Sequence, residues 1–85
     1  MGGWAVVEVE ERHHQVLAVV HHGINQHLGS NHQTFTIIEV RHQVVAGTNY
    51  QFIVQTEDHK KIQVKVFEPL PHTNQPAHVT AAVYL

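Results

Sequence analysis

The apolar residues of this chain keep one period up to Gly29 and a different one after it, and that switch limits the possible folds more than any other feature. Val9, Val16, Val20, Ile24 and Leu28 recur at spacings of four or seven, with Leu17 beside them. Such spacing lines one face of a helix and predicts a helix over residues 6–28. Glu8, Glu10, Glu11, His14, His21 and His22 fill the other faces, and Glu8 precedes Arg12 by four residues in the favourable order. Gly23 interrupts the helix at a cost of about 1 kcal/mol relative to Ala. Gly29-Ser30-Asn31 ends it, Gly29 being suited to a left-handed cap.

Beyond Gly29 the pattern is that of strands. Residues 34–43 are β-branched and aromatic, with Phe35 and Ile37 on one face and Ile38 and Val40 on the other. A phase slip between adjacent apolar residues predicts a β-bulge. Residues 49–57 alternate, with Tyr50, Phe52 and Val54 on one side. After the polar turn "EDHK", residues 61–68 alternate through Ile62, Val64 and Val66. A loop bounded by Pro69 and Pro76 leads to a last strand over 77–84, with Val79, Ala81 and Val83 on one face. Strands joined in succession by hairpins form an antiparallel sheet, and one face of that sheet must cover the helical stripe. The expected fold class is α+β. It is a single domain over residues 1–85, with one long N-terminal helix packed on a wrapped antiparallel sheet of four to five strands. The short lead "GWAV" either adds an edge strand or extends the helix.

With 85 residues the chain buries about 60–65% of its unfolded surface, so its core is small. It has no cysteine, hence no disulfide, thiolate nucleophile or thiolate metal ligand. No 18-residue run is free of polar residues, and the first residues lack the basic, apolar and small-residue regions of a signal peptide. For a complete chain this reads as an intracellular, cytoplasmic protein. A net charge of −2 does not favour nucleic acid. Ten histidines would move that charge from −2 to +8 if all were protonated, which makes charge sensitive to mildly acidic pH. Their spacing offers neither the three- or four-residue step of a helical chelate nor the two-residue step of a strand chelate. No metal and no cofactor are expected, and most histidines are assigned to solvated faces. No serine–histidine–aspartate grouping, phosphate loop or carboxylate pair suggests an enzyme.

Residues 43–47, "QVVAG", place an apolar pair where a hairpin would turn. An uncovered apolar tip is a solubility liability unless a partner covers it. The pentapeptide Gln43-Val44-Val45-Ala46-Gly47, the following Thr48-Asn49-Tyr50 and the later Leu70-Pro71-His72 together resemble the cystatins. Within them the Pro-His loop and the lack of cysteine resemble the stefin branch, which is intracellular and unbridged. The resemblance covers nearly the whole chain. It implies reversible, tight-binding, non-covalent inhibition of papain-like, cathepsin-like cysteine proteases. Three segments would enter the enzyme cleft: an N-terminal glycine (Gly3, or Gly2), the hairpin loop Gln43, Val44, Val45, Ala46 and Gly47, and the second loop Leu70, Pro71 and His72. No nucleic acid or membrane partner is implied. The active species would be a monomer, with a domain-swapped dimer as an inactive form.

The physics of that job agrees with the residues. Small apolar side chains enter a tapered slot with little rotamer freedom to lose, Gly47 permits close backbone approach, and Pro71 fixes φ in the second projection. Only Met1 and Gly2 precede Gly3, and the chain stops at Leu85 without the tail usual in stefins. Against the family pattern both features predict a weakened or selective inhibitor. The alternative is a cystatin-fold binding module or engineered scaffold, His-rich and pH-responsive, whose loops inhibit weakly or not at all.

Overall fold

The computed structural model describes residues 3–85. Its helix, α1 (Glu11–Leu28), starts five residues later than its apolar period suggested. Before it, Ala5–Val7 form a strand, β1, so the lead is an edge strand rather than a helical extension. Val6 and Val7 are β-branched and suit that conformation. Val9 then falls outside the helix and is largely exposed, so it does not belong to the stripe. Glu10 is the N-cap, in extended conformation, and its N–H donates to Nδ1 of His13 at 2.8 Å. A side chain at the third helical position that reaches back to the cap N–H is half of a capping box. Gly29 ends the helix with φ 62°, its N–H and that of Ser30 donating to the carbonyls of Gln26 and Asn25, a Schellman-type closure.

Four further strands follow: β2 (Phe35–Val45), β3 (Gly47–Thr56), β4 (Lys61–Glu68) and β5 (His78–Tyr84). They form a meander in the order β1-β2-β3-β4-β5, every pair antiparallel. The anticipated bulge lies between Ile37 and Glu39. It carries Phe35, Ile37 and Val40 to the core side and leaves Ile38 exposed, so Ile38 does not share a face with Val40. A second irregularity, between β4 and β5 near Thr80, shifts the last strand in the same way. Val79 and Ala82 meet the core while Val83 is exposed. The expected alignment of Val79, Ala81 and Val83 is therefore broken, since one extra residue reverses every side chain beyond it.

The core is the helical stripe Val16, Leu17, Val20 and Ile24 set on Val40, Tyr50, Phe52, Val54, Ile62, Val64, Val66 and Val79. Gly23 is where helix and sheet come close: a Cβ there would stand 3.3 Å from Cγ2 of Val79. Two histidines depart from the expected solvated positions. His13 is fully buried against Tyr50, ring centroids 5.9 Å apart and nearly perpendicular. His32 is also buried, its Nε2 2.9 Å from the Tyr84 hydroxyl, and its Nδ1 lies 3.9 Å from both Glu57 and Asp58. In each case the ring has an aromatic or polar setting that offsets part of the cost of leaving water. Among the described residues no helix is long and apolar enough to cross a membrane.

Candidate functional site

The β2–β3 connection is tighter than the sequence implied. Val44 pairs with Thr48 and Val45 with Gly47, leaving Ala46 alone at the turn. Gln43, Val44 and Val45 are thus strand residues at the tip of a hairpin. Val44 and Val45 are 59% and 41% exposed, and Ala46 is exposed as well. Gln43 is braced across the hairpin, its Oε1 accepting from Nδ2 of Asn49 at 3.2 Å. Gly47 is buried with φ 129°. A Cβ there would lie 2.6 Å from the carbonyl oxygen of Glu68 and 2.7 Å from Cζ of Phe67. Both the backbone angle and the close approach of β4 exclude a side chain.

The second projection begins where β4 ends. Leu70 is 39% exposed, and Pro71–Thr73 form a single 3₁₀ turn with Pro71 and His72 exposed. Thr73 closes that turn, with its N–H and its hydroxyl both donating to the carbonyl of Leu70 at 3.0 and 2.7 Å. Asn74, with φ 54°, donates its N–H to the Pro71 carbonyl. Tyr50 donates its hydroxyl to Glu68 at 3.1 Å, which ties the root of the second loop to β3. Burial, then the negative charge of Glu68, pushes the Tyr50 phenol up from its ordinary pKa, so it stays a donor.

The N-terminal segment comes to the same end of the sheet. β1 pairs Ala5 with His42 and Val7 with Val40. That register, carried two residues back, sets Gly3 level with Val44. Gly3 is exposed, and a Cβ there would meet nothing within 4 Å. Gly2 lies outside the described residues. Trp4, beside it, is 44% exposed.

The strand ends therefore gather the start of β1, the Val44–Val45–Ala46 tip and the Leu70–Pro71–His72 turn along one edge. A shallow groove of about 340 Å³ links the two loops, lined in part by Gly47, Thr48, Glu68 and Leu70. A larger hollow at Lys60, Tyr84 and Leu85 borders the β3–β4 turn, the opposite end of β3 from the tip. The edge is an apolar-tipped projection, and among the described residues it carries no cluster of chemically active groups. Among the described residues no group of three or more His, Asp or Glu is placed to hold a metal ion. Sequence reasoning marks Asn49 only as part of the Thr48-Asn49-Tyr50 stretch, not as a brace, and does not single out Glu68 or Thr73. Of these Thr73 left a signal, since a hydroxyl residue just after Pro-His is suited to close a turn.

The family described as the cystatin domain matches residues 5–84. Among curated proteins, Cystatin-A of Bos taurus is 36% identical over 67 residues, which is 79% of this chain and 64% of that protein. Stefin-C of Bos taurus is 43% identical over 47 residues, 55% of this chain and 46% of that protein. Cystatin-B of Bos taurus is 40% identical over 47 residues, 55% of this chain and 48% of that protein. The aligned parts thus span from about half to just under two thirds of these relatives' lengths.

Proposed function

The chain belongs to the cystatin family, and we propose that it is a reversible, tight-binding, non-covalent inhibitor of papain-like cysteine proteases, cathepsin-like enzymes included. One observation carries this reading: Gly3, the Val44–Ala46 tip and the Leu70–His72 turn converge on one edge although they lie far apart in the chain. A papain-like cleft holds a cysteine–histidine pair at its floor. A narrow wedge with an apolar tip and two flanking projections can fill such a cleft along its length.

In this reading Val44, Val45 and Ala46 enter the cleft and exclude water from the nucleophile. Gln43 and His72 contact its rim, and Leu70 and Pro71 cover one side. Gly3 lets the N-terminal backbone run close to the enzyme on the other side. That contact explains a glycine for which the chain's own packing shows no steric need. The inhibitor supplies no chemistry to the reaction and works by occlusion. The acting species is the monomer, because an opened hairpin has no tip. A fold without disulfides keeps its stability in a reducing compartment, which suits a cytoplasmic inhibitor.

The test is titration of papain with the purified chain and with a Gln43→Ala/Val45→Asp double variant. Reversible, stoichiometric inhibition by the wild type, weakened at least a hundredfold in the variant, is the expected result. Val45 is exposed and Gln43 is only partly buried, at the tip and away from the core, so the variant should fold. A folded wild-type monomer that leaves papain fully active would reject the reading and leave a binding module with idle loops.

A further inference from the structure

We propose that His13 is a proton-operated latch on the N-terminal strand: on taking a second proton its ring loses the hydrogen bond that starts the helix, and β1 loosens from β2. The geometry supplies each part. His13 is fully buried, and its Nδ1 accepts the Glu10 N–H at 2.8 Å. An acceptor nitrogen carries no hydrogen, so the neutral ring holds its proton on Nε2. That Nε2 is buried without a hydrogen-bond partner among the described residues. The imidazolium carries hydrogen on both nitrogens. Its new Nδ1–H would point at the Glu10 N–H, donor against donor, and its charge would have no buried acceptor at Nε2.

The surroundings oppose the cation. Arg12 and His14 are its neighbours on α1, and His42 faces it from β2 with Nδ1 3.4 Å from an Arg12 guanidinium nitrogen. Tyr50 faces it from β3, and its hydroxyl is committed to Glu68 of β4. Among the described residues Glu10 is the group whose charge favours the cation, but its carboxylate is largely exposed and lies 3.7 Å from Nε of Arg12. Burial first, then Arg12, holds the His13 pKa below its ordinary value.

The consequence falls on β1 because of its position. Two residues, Glu8 and Val9, separate β1 from the Glu10 cap. Three register pairs hold the strand, so it stands at the low end of local stability. The latch is a property of the fold and stands whether or not the edge inhibits a protease. If it does inhibit, mild acid would withdraw the N-terminal contact.

The test needs no enzyme. Trp4, the sole tryptophan, stands just before β1 and reports on it by fluorescence, and amide exchange of residues 5–7 reports on its pairing. The comparison is wild type against His13→Gln from pH 7.5 to 5.0. Gln at this helical position can still accept the cap N–H and does not titrate. Corrected for intrinsic exchange, wild-type opening of residues 5–7 should rise about tenfold over that range, with a parallel change in Trp4 emission. His13→Gln should stay flat, and His42→Gln should retain a transition. Identical pH profiles for wild type and His13→Gln would overturn the proposal. So would nitrogen NMR of the wild type finding the proton on Nδ1 at pH 7.5, a measurement that decides even if His13→Gln fails to fold.

Discussion

Gly47 and Gly3 are both glycines of the candidate edge, but their surroundings assign them different work. At Gly47 a Cβ would collide with the Glu68 carbonyl and Phe67, at a φ of 129°. Gly47→Ala should therefore lower stability by about 1–3 kcal/mol, read as a shift of the urea midpoint without a change in slope. At Gly3 the surrounding space is open. Gly3→Ala should leave that midpoint unchanged and weaken inhibition of papain about tenfold or more. Equal inhibition by the two proteins would remove Gly3 from the contact. A motif read in one dimension could mark both positions as glycine. It could not tell them apart, because the reason at Gly47 is a strand about twenty residues further along. His13 makes the same point. Its pKa is lowered in the fold, so its contribution is complete above the unfolded value near 6.5 and is lost as pH falls through that value toward the folded one. A melting curve for wild type should fall in this window, and His13→Gln should reduce the fall. Glu57 and Asp58 act lower. Backbone N–H bonds from Gln33 and Thr34 hold Glu57 down and the Thr56 hydroxyl holds Asp58 down, so their contributions disappear as pH drops below the ordinary carboxylate range.

At the scale of elements, the sequence showed where each segment was but not how it ended. The helical period ran back to Val9, whereas the helix starts at Glu11. A period counts apolar positions and cannot see that β1 competes for the same residues. The β2 bulge was visible because two adjacent apolar residues broke the alternation. The β5 irregularity was hidden, since Ala81 and Ala82 are small enough to suit either face. Gly23, a flaw by propensity, has a reason in packing against Val79. Gly23→Ala should change stability by less than about 1 kcal/mol, because a propensity gain of about that size is opposed by a tight contact. The second loop is set by Thr73. Thr73→Val removes the hydroxyl bond to Leu70 on an exposed turn, so stability should fall by about 1 kcal/mol or less. Inhibition should fall severalfold as the turn loosens, and unchanged inhibition would mean that the second loop carries little of the contact.

For the whole molecule, the α+β class and the order of β2 to β5 were legible in the sequence because the strand period begins only after Gly29 and successive strands are joined by hairpins, whereas the lead that forms β1 could be read as strand or helix. The convergence of three distant segments on one edge was not. It depends on the register of β1 against β2 and on β3 bringing Gly47 against Glu68, and neither follows from local pattern. The β2–β3 hairpin also sets the oligomeric behaviour we expect. Straightening at Ala46 would join β2 and β3 into one strand and let two chains exchange halves. Gel filtration after incubation at high concentration should yield a dimer that leaves papain active while the monomer fraction inhibits. The meander has a further consequence, in time rather than in space. The connections that join β2 to β3, β3 to β4 and β4 to β5 are short, so these pairs can form early. β1 meets β2 across the whole helix, from Val7 to Val40, and closes by far the longest loop with three pairs to hold it. It should dock after the rate-limiting step. Changes in β1 should therefore speed unfolding and leave the folding rate nearly untouched, and the life of the native state would be set at the strand that is last to arrive and first to leave.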